Sequence, residues 1–183
     1  MTFRETEKIY TDNLSLVYDK REAASLAWLS ISHVCKIERA EYLNIKDTEV
    51  PTDKKESLLE ILEELKTGKP LQYVLGETEF YGLTFKVNPS VLIPRPETEE
   101  LVEWILSDVR KPKTSIEGLK IIDIGTGSGC IPISLKKNLP EAQLYALDIS
   151  TEALGVSKQN AAFNQTMVNF IQADILNLLN EQL

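Results

Sequence analysis

Hydrophobic residues recur at helical spacing through the first seventy residues of the chain. One apolar stripe consists of Ala24, Ala27, Trp28, Ile31, Val34 and Cys35, and another of Leu58, Ile61, Leu62 and Leu65. Residues three or four apart share one face of a helix, so each stripe predicts a helix with a buried face. Asp53 and Glu56 have the spacing of a capping box at the start of the second helix. With shorter helical patterns over residues 6–18 and 38–44, the sequence predicts a small helical bundle.

The hydrophobic period changes after residue 72. Residues 79–87 alternate in part between apolar and polar positions around a central glycine, which predicts a β-hairpin. Two prolines then flank Arg95, and Pro96 suits the first position of a helix whose first turn is rich in glutamate. This stiff segment is either a simple connector or a wall of a pocket in the domain that follows.

Three short apolar strands alternate with helical stretches in the remainder of the chain. They cover residues 121–124, 143–148 and 168–173, and Ser150 or Thr151 is placed to cap the helix after the second strand. Strands that alternate with helices predict a parallel sheet, so this part of the chain is expected to be an α/β domain.

The first of these strands runs directly into a glycine-rich turn and then a helix. Gly125, Gly127 and Gly129 occupy alternate positions, and glycine allows both positive φ and the close approach of a ligand. The free N–H groups at the start of a helix suit a nucleotide-like cofactor. A dinucleotide turn would place its third glycine where this chain has Cys130. The carboxylate of Asp123 suits the sulfonium and ammonium groups of S-adenosylmethionine better than a pyrophosphate; the alternative is a turn that binds no ligand.

An acidic residue ends each of the next two strands. Asp148 lies nineteen positions after Gly129, a spacing that fits one helix and one returning strand. In open α/β sheets ligands bind beyond the carboxyl ends of the strands, where an acid can bind the ribose hydroxyls. A turn or capping role is the alternative for Asp148. Asp174 could reach the adenine end of the ligand, and capping of the next helix is an equally good interpretation.

Composition and charge are those of an ordinary globular protein. The 183 residues are 43% hydrophobic and carry a formal net charge of −8 without a Lys/Arg cluster, which disfavours a nucleic-acid substrate. The sequence has no apolar run of membrane-spanning length, no signal-peptide pattern and no metal-ligand spacing around Cys35 or Cys130. We therefore expect a cytoplasmic protein with no metal site and no membrane partner. His33, the only histidine, is expected to be structural.

Four segments of the chain form a more specific pattern. They are residues 70–76 (Pro-Leu-Gln-Tyr-Val-Leu-Gly), 80–82 (Phe-Tyr-Gly), 91–99 (Val-Leu-Ile-Pro-Arg-Pro-Glu-Thr-Glu) and 123–129 (Asp-Ile-Gly-Thr-Gly-Ser-Gly). In order and spacing, over residues 15–183, the chain resembles the HemK-type glutamine methyltransferases of bacterial peptide chain release factors. The glycine motif marks only the broad methyltransferase class, whereas the Leu-Ile-Pro-Arg-Pro-Glu-Thr-Glu run is much more specific.

The resemblance implies a domain organisation. It implies an N-terminal all-α helical bundle for substrate recognition over residues 1–72 and a β-hairpin linker over 73–96. Residues 97–183 would form the first half of a Rossmann-like, seven-stranded, class I S-adenosylmethionine-dependent methyltransferase domain. The implied reaction is methyl transfer from S-adenosylmethionine to the side-chain amide of the glutamine in the Gly-Gly-Gln loop of release factors, which leaves S-adenosylhomocysteine and serves translation termination.

The resemblance also implies the residues of the site. The cofactor would be bound by Gly125, Thr126, Gly127, Ser128 and Gly129 at its methionine portion, by Asp148 at its ribose, and by Asp174 and Ile175 at its adenine. Relatives often have an aromatic residue where Ile175 stands, so stacking on the adenine would be weaker here. The border of the cofactor and substrate cleft would include Pro94, Arg95, Pro96 and Thr98.

The family's acceptor motif, Asn-Pro-Pro-Tyr, does not occur in the chain. In the family its polar groups bind the glutamine amide and orient the nitrogen towards the methyl group. We expect the motif beyond Leu183, within one further loop and strand. The chain is therefore expected to be an N-terminal fragment of a longer enzyme, with no catalytic residue of its own and no glutamine methyltransferase activity.

Other classes of function stay open. A NAD-dependent oxidoreductase would share the strand–glycine–helix turn, and a non-enzymatic binding module would use the helical bundle to bind a partner. Among methyltransferases, the acceptor could instead be a glutamine of a ribosomal protein or an adenine in DNA, because related enzymes share the acceptor motif. The acidic net charge disfavours DNA.

Overall fold

The computed structural model describes residues 1–111 and 118–180, and for residues 178–180 the backbone alone. The chain divides into two compact units, Met1–Leu75 and Gly76–Leu183. Each unit has a hydrophobic core of its own. The predicted segment 97–183 includes residues 112–117 and 181–183, which lie outside the described residues. Across the described part of the chain, no helix has both the length and the hydropathy needed to cross a membrane.

The first unit, all of whose residues are described, is a helical bundle. Its helices are α1 (Phe3–Leu14), α2 (Lys20–Cys35), α3 (Arg39–Ile45), α4 (Thr52–Leu65) and α5 (Leu71–Leu75). Tyr10 and Leu58 are fully buried, and the Tyr10 hydroxyl donates a hydrogen bond to the Leu58 carbonyl, which joins α1 to α4. The predicted N-terminal bundle is thus confirmed.

Two details of the predicted bundle are wrong. The predicted capping box of Asp53 and Glu56 is absent: α4 begins at Thr52 behind Pro51, and no side chain caps it. Because the helix starts before Asp53, this carboxylate lies in the first turn, where it faces the positive end of the helix dipole. On α2, Ala24 is exposed and its neighbour Ala23 is fully buried, so the buried stripe is rotated by one residue at the start of the helix.

The second unit is an α/β domain that begins with a hairpin. Its elements are β1 (Glu77–Phe80), β2 (Leu83–Lys86), α6 (Pro96–Val109), β3 (Lys120–Ile124), α7 (Cys130–Asn138), β4 (Gln143–Asp148), α8 (Thr151–Phe163), β5 (Asn169–Gln172) and α9 (Ile175–Asn180). The described strands β3, β4 and β5 form a parallel sheet in that spatial order. All three predicted strands are present, which confirms the α/β class. Ile124 pairs with Leu147, so the carboxyl ends of β3 and β4 lie side by side.

A tight turn at Tyr81 and Gly82 closes the hairpin. Both residues have positive φ, 51° and 70°, as a two-residue type I′ turn requires. The Tyr81 N–H donates to Glu99 Oε1 at 2.8 Å, and its hydroxyl donates to the Glu103 carboxylate, so the turn is bonded to α6. Phe80 is fully buried in the core of the second unit. The hairpin is therefore an integral part of this unit.

Candidate cofactor-binding site

The glycine turn between β3 and α7 has two different surfaces. Gly125, Gly127 and Gly129 all have positive φ, at 77°, 54° and 78°. A Cβ atom built on Gly125 or Gly127 would meet no atom within 4 Å, so a ligand can approach the backbone there. A Cβ atom on Gly129 would lie 3.0 Å from both Ile133 Cδ1 and Ser157 Cβ. The first two glycines thus leave an open cradle, and the third lets α7 and α8 pack closely.

Backbone hydrogen bonds hold this turn against the end of β4. The N–H groups of Gly125 and Thr126 both donate to the Leu147 carbonyl, at 2.8 and 3.0 Å. The Gly127 N–H donates to Asp148 Oδ2 at 2.9 Å, and the Ser150 N–H donates to Asp148 Oδ1 at 3.0 Å. The structure therefore brings together Asp148 and the glycine turn, which the sequence separates by a helix and a strand.

Asp148 retains hydrogen-bonding capacity after these two bonds. Its side chain is buried, with the residue 9% exposed. Each carboxylate oxygen has about two lone-pair sites, and one site on each is used by a backbone N–H. The remaining sites can accept hydrogen bonds from a pair of ligand hydroxyls, which is the chemistry that a ribose offers.

Asp123 supplies a second carboxylate near the turn. Among the described residues its Oδ2 atom is buried without a hydrogen-bond partner, as is Thr126 Oγ1. Burial raises the pKa of the Asp123 carboxyl; the nearby Thr126 hydroxyl lowers it, and the charge of Asp148 raises it further. A buried acceptor without a partner fits a cationic ligand group. With the open glycine cradle, the residues present therefore fit S-adenosylmethionine.

The two residues predicted to contact an adenine, Asp174 and Ile175, lie at the end of β5. The Ala173 N–H donates to the Asp148 carbonyl at 3.2 Å, so the end of β5 adjoins the end of β4. Asp174 Oδ1 accepts from the Leu176 N–H at 3.0 Å, and Oδ2 accepts from Asn177 Nδ2 at 2.8 Å. The capping role of Asp174 is therefore observed. Contact of Asp174 or the partly buried Ile175 with an adenine stays a prediction.

The Pro-Arg-Pro segment leads into α6 as its sequence predicts. Pro96 is the first residue of the helix, Arg95 is its exposed N-cap, and the Thr98 N–H donates to the Arg95 carbonyl at 3.0 Å. Among the described residues, no hydrogen bond joins Pro94, Arg95, Pro96 or Thr98 to the glycine turn. Their place in a cleft stays a prediction.

Sequence reasoning missed Asn160, a buried polar residue of this unit. It lies on α8, is completely buried and hydrogen-bonds to Lys86 of the hairpin and Ser128 of the glycine turn. A signal was available, because positions 153, 157, 160 and 164 have the spacing of a buried helix face and the last two are asparagines. Buried amides on such a face are costly unless they are hydrogen-bonded.

Both units of the chain match family models of known proteins. The family model of the methyltransferase small domain matches residues 103–183, and that of the PrmC N-terminal domain matches residues 15–76. A release factor glutamine methyltransferase of Flavobacterium psychrophilum is 42% identical over 91% of this chain and 58% of its own length. One from Bacteroides thetaiotaomicron is 38% identical over 89% of this chain and 56% of its own length. Among solved structures, an S-adenosylmethionine-dependent methyltransferase of Agrobacterium tumefaciens aligns with a TM-score of 0.45 at 18% identity, over 58% of this chain and 34% of that one.

The class follows from the fold, the glycine turn and the family models: the second unit is a methyltransferase domain. The relatives then narrow the class. The chain belongs to the family of release factor glutamine methyltransferases, as the sequence resemblance indicated. It spans a little more than half the length of these relatives, at 58% and 56%. These matches favour neither an oxidoreductase nor a non-enzymatic module.

Proposed function

We propose that the protein expressed from the whole gene methylates the side-chain amide nitrogen of the glutamine in the Gly-Gly-Gln loop of peptide chain release factors. One structural observation carries the cofactor half of this proposal. The glycine turn is hydrogen-bonded to Asp148, so an open backbone cradle adjoins a carboxylate with free acceptor sites. The acceptor half rests on the relatives, which are named release factor glutamine methyltransferases.

In the proposed reaction S-adenosylmethionine supplies a methyl group activated by its sulfonium, and S-adenosylhomocysteine is the product. The segment from Gly125 to Gly129 would bind the methionine portion, with Gly125 and Gly127 allowing its close approach. Asp148 would accept hydrogen bonds from the ribose hydroxyls. The partnerless oxygen of Asp123 would face the cationic end of the cofactor. These residues bind and orient the methyl donor, and orientation is a major part of catalysis in group transfer.

The proposal also assigns roles to the end of β5, the border of the cleft, the helical bundle and the hairpin. Asp174 and Ile175 would contact the adenine from the end of β5, and Pro94, Arg95, Pro96 and Thr98 would border the cleft. The bundle of residues 1–72 would recognise the release factor, with residues 73–96 as the hairpin linker. A cytoplasmic location belongs to the same proposal, since two free cysteines suit a reducing compartment.

Methyl transfer tests the proposal directly. The protein expressed from the whole gene is incubated with tritiated S-adenosylmethionine and a release factor, and incorporation of label is followed. We expect label on wild-type release factor and none when its Gly-Gly-Gln glutamine is replaced by alanine. Ribosomal proteins and adenine-containing DNA serve as parallel acceptors; label on one of these and not on the release factor would overturn the assigned acceptor.

A binding experiment separates the cofactor from the acceptor. Isothermal titration calorimetry compares S-adenosylhomocysteine with NAD on the same protein. We expect heat of binding with S-adenosylhomocysteine alone. Binding of NAD and not of S-adenosylhomocysteine would overturn the methyltransferase assignment and favour an oxidoreductase.

A further inference from the structure

The buried side chain of Asn160 connects two segments that are far apart in sequence. Its Oδ1 atom accepts a hydrogen bond from the Lys86 N–H at 2.6 Å, and its Nδ2 atom donates to the Lys86 carbonyl at 2.9 Å. The same Nδ2 donates to the Ser128 carbonyl at 2.9 Å. One amide thus satisfies both backbone groups of a hairpin residue and one carbonyl of the glycine turn.

At the glycine turn, this contact fixes the peptide group that precedes α7. The Ser128 carbonyl of that peptide accepts from Asn160, and its Gly129 N–H donates to the Thr126 carbonyl at 2.9 Å. Both polar ends of the peptide are therefore held, one by α8 and one within the turn. The orientation of this peptide determines how the start of α7 is presented to a ligand in the cradle.

At the hairpin, Asn160 extends the pairing of β2. Lys86 pairs with Glu77 of β1 at the open end of the hairpin, and the next N–H, that of Val87, donates to the Gly76 carbonyl at 3.0 Å. Asn160 binds the N–H and carbonyl of Lys86 as a neighbouring strand would. The open end of the hairpin is thereby hydrogen-bonded to the side chain that also holds the glycine turn.

We propose that Asn160 is a positioning residue that couples the hairpin to the cofactor turn. When Lys86 is bonded to Asn160, the amide is oriented so that Nδ2 reaches the Ser128 carbonyl and holds the turn in its cofactor-binding form. The hairpin therefore contributes to cofactor affinity through Asn160. This inference rests on the proposed function, because it takes S-adenosylmethionine as the ligand of the turn.

Asn164, at the C-terminal end of the same helix, provides a matched control. It is buried like Asn160 and is the C-cap residue of α8, and its Nδ2 donates to the Thr84 carbonyl of β2 at 2.9 Å. It also donates to the Asn160 carbonyl, at 3.1 Å, and none of its described hydrogen bonds reaches the glycine turn. Asn164→Ala thus removes a buried amide contact to the hairpin and leaves the turn intact.

Calorimetry with S-adenosylhomocysteine on the protein expressed from the whole gene, well below its unfolding temperature, measures the effect on affinity. Loss of a hydrogen bond that holds the turn should weaken binding by about tenfold in Asn160→Ala and by less than about threefold in Asn164→Ala. Asn160→Asp is a second variant of nearly the same shape, which keeps the acceptor for Lys86 and loses the donors. It should weaken binding as Asn160→Ala does, and it replaces that variant if the alanine protein does not fold.

Amide hydrogen exchange provides a readout that a purely structural role would not change. We expect S-adenosylhomocysteine to slow exchange of the Lys86 N–H in the wild type and in Asn164→Ala. In Asn160→Ala, or in Asn160→Asp where that variant replaces it, the ligand should leave the exchange rate of the Lys86 N–H unchanged. Equal affinities of the Asn160 and Asn164 variants, or a Lys86 amide that does not respond to ligand in the wild type, would overturn the coupling. Failure of the wild type to bind S-adenosylhomocysteine would instead refute the proposed function.

Discussion

Replacement of Gly129 by alanine should destabilise the second unit far more than the same replacement at Gly125. The two glycines have nearly the same φ, 78° and 77°, so alanine at either position takes on a left-handed conformation at a cost of about 1–2 kcal/mol. Only at Gly129 does the new Cβ collide with neighbours, at 3.0 Å from Ile133 Cδ1 and from Ser157 Cβ. Overpacking of this kind costs about 1–3 kcal/mol more.

The free energy of unfolding therefore separates the cost of the left-handed conformation from the cost of overpacking. We expect Gly129→Ala to lower it by about 2–5 kcal/mol and Gly125→Ala by about 1–2 kcal/mol. Urea unfolding followed by far-UV circular dichroism measures both, and the steric part is the difference between the variants, since the conformational part cancels. Ser157 donates its hydroxyl to the Leu154 carbonyl and is fully buried in α8, so it has little freedom to move away.

For binding of S-adenosylhomocysteine, we expect the variant with the smaller loss of stability to have the larger loss of affinity. A methyl group on Gly125 would enter the open space above the turn, so Gly125→Ala should lose affinity for S-adenosylhomocysteine despite its smaller loss of stability. Equal destabilisation by the two alanines would refute the reasoning, because it would mean that α7 and α8 do not approach closely at Gly129.

Three further predictions concern ionisable side chains. Asp148→Asn should weaken S-adenosylhomocysteine binding by about 10–100-fold in calorimetry, since hydrogen bonds to charged groups are worth about 1.5–3 kcal/mol; unchanged affinity would remove Asp148 from the site. Burial raises the pKa of Asp123, so its contribution to stability is present at acid pH and is lost as the pH rises through that raised pKa. The free energy of unfolding of Asp123→Asn, relative to wild type, should therefore increase as the pH rises from the ordinary pKa of an aspartate, about 4, through the raised pKa of the folded protein, and a flat difference would contradict the burial. Burial raises the pKa of the Cys130 thiol to about 11. At pH 8 this thiol should therefore react with a thiol reagent much more slowly in the folded protein than in the urea-unfolded protein. The variant Cys130→Ser distinguishes its reaction from that of Cys35.

The sequence predicts the elements around the site closely because their signals are local. The strand over residues 143–148 is an apolar run that ends in an acid, and Ser150 caps the following helix through the Ala153 N–H at 3.1 Å. The spacing between Gly129 and Asp148 predicts a helix and a return strand, and the structure places the Asp148 carboxylate 2.9 Å from the Gly127 nitrogen. The local sequence pattern and the parallel pairing of the strands are together sufficient to predict this part of the site.

Contacts between segments far apart in the chain could not be predicted from the sequence. Asn160 contacts Lys86, 74 residues away, and no local rule assigns a partner to a buried amide. The predicted capping box at Asp53 was wrong because two start signals compete there, and the helix begins behind Pro51 instead. A spacing rule cannot decide between competing starts, since the choice depends on how the bundle packs around the helix.

The two backbone hydrogen bonds to Asp148 have a kinetic consequence. They hold its carboxylate in one rotamer before any ligand arrives, and an immobilised side chain of this kind saves about 0.5–1.5 kcal/mol of ordering entropy on binding. A ligand would then meet a rigid surface and not one that must first rearrange. Association rates should therefore be similar for nucleoside ligands that differ in their ribose hydroxyls, and discrimination among them should appear in how long each one stays bound.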